Sequence, residues 1–147
     1  MRKVEVTTEI DTTPARIVSA FTDTKMLKEW WGVERALIET KPGGLYTLAW
    51  SISKNGFGFV STGIVKDFRS DSTLVIEDFV YMNPDRPFLG PMTLTIRAVK
   101  KNDRSELYLR QDGYQDGADW DWYYDVVKKA WPTVVHTLKD YLENRKQ

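Results

Sequence analysis

Apolar and polar positions alternate at the start of the chain. In "VEVTTEI", Val4, Val6, Thr8 and Ile10 fall on one side and polar residues on the other, which is the period of a half-buried strand. "DTTPARIVSAFTD" then changes period. Thr13 can cap a helix, Pro14 suits its first position, and Ile17 and Phe21 share a face. Asp23 or Thr24 can cap a second short helix through "KMLKEWW", which Gly32 stops. "VERALIE", the turn "KPGG" and "LYTLAWSIS" follow, with Tyr46, Leu48, Trp50 and Ile52 on one face. Asn55-Gly56 is a hairpin signal. "FGFVSTGIVKDF" and "TLVIEDFVYM" read as strands around "RSDS", and "NPDRPFLGP" reads as a loop. "MTLTIRAV" and "ELYLRQDGY" make a hairpin through "KKNDR". Strands joined by such short turns are antiparallel.

The last segment is helical from about Asp119 to Leu142. At 3.6 residues per turn, Trp120, Tyr124, Val127, Trp131, Val134, Val135, Leu138 and Leu142 form one stripe. The stripe keeps its phase across Pro132, so the pattern favours one helix kinked near Lys128 to Pro132. The alternative is a helix that ends before Trp131 and restarts at Pro132. In either case the segment is the element long enough to cover the greasy face of the sheet. Its first half presents large aromatics and its second half slender aliphatics. Aromatics of that size line a hollow or fill a core, and spacing alone does not separate the two.

Composition narrows the class. The 147 residues suit one domain, with 41% hydrophobic and 29% charged side chains. Lys plus Arg and Asp plus Glu number 21 each, so no net charge draws the chain to nucleic acid or acidic membranes. Cysteine is absent, which removes disulfides, thiolate nucleophiles and thiolate metal sites. No apolar run reaches the length of a membrane span, and "MRKVEVTTEID" has no apolar signal core. The expected location is cytoplasmic.

Five segments, in order, carry a resemblance. They are "PARIVSAFTDTKMLKEWWG", "KPGGLYTLAW", "GIVKDFRSDSTLVIEDF", "ELYLRQDGY" and "WYYDVVKKAWPTVVHTLKDYLE". Together they resemble the activator of heat-shock-protein-90 ATPase homologue-like family, within the START-like, birch-pollen-allergen-like (SRPBCC) superfamily. The resemblance implies an α+β helix-grip fold: a curved antiparallel sheet of about seven strands around a long C-terminal helix, with two short helices after the first strand. Residues 1–147 then read as a single START-like domain. It also implies a cavity between sheet and helix, as superfamily members bind lipids, sterols, polyketides or plant hormones, and a few act as cyclases.

Few residues carry a pattern that points to catalysis or metal binding. The one histidine, His136, lies off the apolar stripe and reads as solvent-facing, so neither a zinc site nor a Ser-His-Asp triad is expected. "DGYQDGADWD" matches a calcium loop at Asp112, Asp116 and Gly117 but places Tyr114 and Tyr123 where oxygen-rich ligands belong. Asp119 as helix cap and Asp121 near the positive helix end explain those acids better. No metal or other cofactor is expected. Glu77 and Asp78 are neighbours in a strand, so one must face inward if the strand is regular. Asp78 shares parity with Leu74, Ile76 and Val80 and is the expected one; Glu77 is the close alternative. Gln111 shares parity with the inward Leu107 and Leu109. Internal hydrogen bonds or a ligand's polar end would satisfy these groups.

The expected function is therefore a binding module for a small, largely apolar ligand. Its expected lining is Trp31, Trp50, Phe59, Asp78, Tyr81, Gln111, Trp120, Tyr124, Val127 and Trp131. An enzyme using Asp78 as acid or base is one alternative. A co-chaperone-like domain that binds a protein partner through an apolar patch around Trp30, Trp122 and Phe88 is the other.

Overall fold

The structure is a computed structural model that describes residues 2–144. The first strand, β1 (Lys3–Ile10), leads into helices α1 (Pro14–Thr22) and α2 (Thr24–Trp31). Six strands follow: β2 (Arg35–Ile38), β3 (Leu45–Trp50), β4 (Phe59–Arg69), β5 (Thr73–Met82), β6 (Leu89–Lys101) and β7 (Arg104–Asp112). Helix α3 (Ala118–Asn144) ends the described chain. The strands form one seven-stranded sheet in the order β1-β7-β6-β5-β4-β3-β2, antiparallel throughout. This is the expected helix-grip α+β fold.

The short helices follow their caps. The Thr13 hydroxyl accepts from the Arg16 N–H and the Asp23 carboxylate from the Met26 N–H. Gly32 ends α2 with φ 70°, a conformation that costs a side-chain-bearing residue energy. These caps fix where Trp30 and Trp31 leave the helix. The Trp30 ring enters the core and its indole N–H donates to the Ala20 carbonyl at 2.8 Å.

Helix α3 runs unbroken through Pro132. Proline leaves the Lys128 carbonyl without its helical donor, and both residues are exposed, so water can take that place. Beyond Pro132 the stripe is buried as the sequence predicts, with Leu138 and Leu142 fully enclosed. The far end is tied down at Glu143, whose carboxylate accepts from the Asp11 N–H and from Arg104 and Lys139. Those partners hold the Glu143 carboxyl below its ordinary pKa, the Asp11 N–H contributing most.

At the first turn the prediction needs correction. Asp119 does not cap the helix; it lies inside the first turn, 3.2 Å from Arg86, and Asp121 pairs with Arg2 at 2.8 Å. Tyr123 is buried where Tyr124 was expected. Tyr124 turns toward β1 instead, with Arg2 5.0 Å above its ring.

The sheet bends where its ladder is irregular. Ile76 pairs with Leu94 and Phe79 with Met92, so Glu77 and Asp78 together oppose Thr93. That is a β-bulge. Asp78 takes φ 50° and is exposed. On the neighbouring strand, Gly63 faces the bulge. A Cβ there would lie 2.5 Å from Ile76 Cγ2 and 2.9 Å from the Glu77 carbonyl oxygen, so only glycine fits without movement.

Two outcomes follow. Leu138→Ala should lower unfolding free energy by ~2–5 kcal/mol, as a large-to-small change at a fully buried site; a near-neutral urea midpoint would contradict the packing of α3. Asp78→Gly should be neutral or stabilising, whereas Asp78→Val should destabilise, since a β-branched residue resists positive φ. Equal melting temperatures for the two variants would argue against the left-handed turn.

Candidate functional site

Three tryptophans, Trp31, Trp50 and Trp131, build one wall of a pocket between α3 and the sheet, and Trp30 backs them from the core. Trp30 and Trp31 stack with centroids 5.0 Å apart at the end of α2. Trp31 meets Trp50 of β3 edge-on at 5.1 Å and Trp131 of α3 at 5.7 Å. The Trp50 indole N–H donates to the Trp31 carbonyl at 3.1 Å, so β3 holds the end of α2 in place. Such contacts join three elements that the backbone ladder does not connect.

The opposite wall is phenolic. Tyr81 of β5 and Tyr123 of α3 stack at 4.9 Å. Between the walls lies Gln111 of β7, 1% exposed. Indole N–H groups only donate, so the Trp131 contact at 2.8 Å identifies the Gln111 oxygen. The Gln111 amide NH2 then points at the Tyr123 oxygen at 3.0 Å and the Met92 sulfur at 3.2 Å. Burial pushes the Tyr123 phenol pKa up, against the smaller opposing effect of the Gln111 bond. It stays protonated at neutral pH.

The pocket, open at one side, has a volume of about 240 Å³. That is below the ~300–1,000 Å³ of common ligand pockets, and so smaller than expected. Phe59 and Val126, 42% and 43% exposed, stand at its rim with Ala130. No charged side chain lines it.

Seven of the ten expected residues lie in this lining: Trp31, Trp50, Phe59, Tyr81, Gln111, Val127 and Trp131. Three do not. Asp78 points to solvent, because the bulge adds a residue and reverses the alternation on which its inward assignment rested. The same bulge brings Phe79 inward. Trp120 and Tyr124 pack edge-on against Tyr114 at 6.3 and 5.1 Å, beside the pocket rather than in it. Tyr123 is the main omission. It is one residue from the predicted stripe position, and helical spacing admits both. Tyr46 and Leu48 were legible as inward strand residues but were not assigned to the site.

The other candidate groups are accounted for. His136 is exposed and sits 3.4 Å from Asp140 one turn on. Among the described residues no group of three or more His, Asp or Glu side chains converges to hold a metal. No described helix is long and apolar enough to cross a membrane.

The sequence profile of the family described as "Activator of Hsp90 ATPase homolog 1-like protein" matches residues 11–143. This chain belongs to that family. Its members fall within the SRPBCC superfamily. Comparison with curated proteins gives no match. Among solved structures, a Mesorhizobium loti protein superposes with TM-score 0.77 at 20% identity, covering 99% of this chain and 100% of its own. An Aha1 dimer from Colwellia psychrerythraea gives 0.72 at 16%, with 97% of each chain covered. An Hsp90 activator from Plasmodium falciparum gives 0.69 at 17%, with 97% of this chain and 96% of that one covered. At these identities the likeness is one of fold.

This member of the Hsp90-activator-homologue family has a second apolar feature on the outer face of its sheet. A groove of about 420 Å³ is lined in part by Leu37, Phe57, Val60, Met82 and Phe88. Phe88 is 74% exposed. The patch expected around Trp30, Trp122 and Phe88 does not form, because Trp30 is a core residue and Trp122 lies under the Arg86 guanidinium at 4.0 Å.

Gln111→Leu should cost ~1–3 kcal/mol by leaving the Trp131 indole N–H buried without an acceptor. Chemical denaturation checks this. A loss no larger than that of an exposed control substitution would show that the amide does not hold α3.

Proposed function

We propose that this chain binds a small, largely apolar molecule in the pocket between α3 and the sheet. The observation that carries this is the chemistry of the lining. The Trp50 and Trp131 indole N–H groups and the Gln111 amide are already bonded within the protein, and no charged side chain lines the space. Apart from the hydroxyls of Ser61, Tyr81 and Tyr123, what remains on offer is aromatic and aliphatic surface, which binds by removing apolar area from water. The proposed ligand site consists of Trp31, Trp50, Phe59, Tyr81, Gln111, Val127 and Trp131, joined by Tyr123. With Asp78 outside, no carboxylate is proposed as a catalytic acid or base.

A second reading has its own support. The outer groove exposes Phe57 and Leu37 at 53% and 56% beside Phe88, more contiguous apolar surface than scattered exposed residues give. It suits a protein-interaction role. The Plasmodium relative is described as an Hsp90 activator and the Colwellia relative as a dimer.

The neutral fluorophore N-phenyl-1-naphthylamine separates the two. It should brighten on adding protein. Ala130→Trp, which fills the rim from an exposed position, should weaken its binding severalfold with unchanged circular dichroism. Phe88→Ser should not affect it. Sensitivity to Phe88→Ser alone would place the apolar binding site on the outer face.

A further inference from the structure

The polar atoms of the pocket are not balanced, and the imbalance bears on what it takes. The Tyr123 oxygen accepts from the Gln111 amide, whose orientation the Trp131 indole fixes. The Tyr123 proton therefore points away from Gln111, and it meets no acceptor among the described residues. Tyr81 is held in the same sense. The Asn83 oxygen accepts from the Asp85 N–H at 2.8 Å, which turns the Asn83 NH2 toward the Tyr81 oxygen at 3.3 Å. An amide NH2 only donates, so the Tyr81 oxygen is also an acceptor and its proton is directed elsewhere. Both phenols line the pocket with their rings stacked. Ser61 adds a hydroxyl that donates or accepts.

The surplus is thus on the donor side. An unmatched buried donor costs energy when water is displaced by a group that cannot accept from it. A ligand that fills the pocket is favoured if it supplies an oxygen. An anion would supply one too, but it would lose its hydration with no Lys, Arg or His in the lining to compensate.

We infer that the pocket selects neutral apolar molecules bearing a carbonyl oxygen, which accepts from the hydroxyls of Tyr123 and Tyr81. This rests on the pocket being a ligand site, as proposed above. The wall of Trp31, Trp50 and Trp131 supplies flat apolar contact, and the phenol pair supplies the orientation. Burial favours the protonated form of Tyr123, so its donor persists at neutral pH.

The test compares three probes of like shape by quenching of the pocket tryptophans: tetralin, 1-tetralone and 1-naphthoate. The informative quantity is the ratio of tetralone to tetralin affinity in wild type and variant, because the solvation difference between the probes cancels. Tyr123→Phe should reduce that ratio by roughly three- to tenfold, the effect of one hydrogen bond. The infrared carbonyl stretch of carbonyl-labelled tetralone should lie lower when bound to wild type than to the variant. Tyr81→Phe makes the same comparison if Tyr123→Phe does not fold. If both probes bind and neither variant changes the ratio or the stretch, the carbonyl inference is overturned while the pocket reading stands. If 1-naphthoate binds as tightly as 1-tetralone at neutral pH, selection for a neutral ligand is overturned. If neither tetralin nor tetralone binds wild type, the pocket reading itself fails, and this inference with it.

Discussion

The buried amide of Gln111 is the contact on which the arrangement of helix and sheet turns. It projects from β7 and reaches two residues of α3, Trp131 and Tyr123. These are eight residues apart, roughly 12 Å along a helix. A polar group this deep is tolerated only when bonded, and here both ends of the amide are engaged. Because the bonds are made by the tips of large rings, they hold the helix backbone away from the sheet. The space beside them is the pocket. From Val135 onward the helix instead presents Val135, Leu138 and Leu142, and the same sheet face is filled.

The second constraint is the bulge at Glu77-Asp78. A regular strand could not place Leu74, Ile76, Phe79 and Tyr81 all on the concave side, because the first two differ in parity from the last two. One extra residue makes this possible. It sends the two acidic side chains out of the pocket and brings two aromatic ones in. Gly63 lets β4 pass close to the bulge, so the curvature depends on both strands. The apolar character of the pocket thus follows from one irregular position.

Most of the fold was legible in the sequence because its signals are local: alternation in β1, caps at Thr13 and Asp23, and a stripe that keeps phase through Pro132; the turn expected at Asn55-Gly56 lies one residue earlier, at Lys54-Asn55, where Ser53 pairs with Gly56. The pocket was legible wherever a residue's face follows from simple periodicity, as for Trp50, Gln111, Val127 and Trp131. It failed where periodicity is interrupted. Asp78 was assigned inward by counting twos across a bulge that only tertiary pairing reveals. Tyr124 was chosen over Tyr123 because steps of three and four are equally helical, and the choice depends on how Gln111 and Tyr81 meet the helix. Ile52 was placed with Tyr46 and Leu48, but β3 ends at Trp50 and Ser51 takes φ 56°.

The two halves of α3 are held by different forces. The C-terminal half is set in the core, with Leu138 and Leu142 at 0% exposure, and burying such a side chain contributes about 1.5–3 kcal/mol. The N-terminal half is held by ring contacts of Trp120, Tyr123 and Tyr124 and by the pairs Arg2–Asp121 and Arg86–Asp119, which are partly exposed. Exposed pairs contribute about 0–1 kcal/mol. Between them lies the Gln111 network. Attachment therefore changes from aliphatic burial to ring contacts and surface pairs toward the end that carries Tyr123, Val126 and Val127, all in the pocket lining. Phe59 and Val126 both stand at the rim and no charged residue belongs to that lining, so the access route is as apolar as the interior. The physical gradient along one helix thus separates a part that specifies the fold from a part that shapes a space.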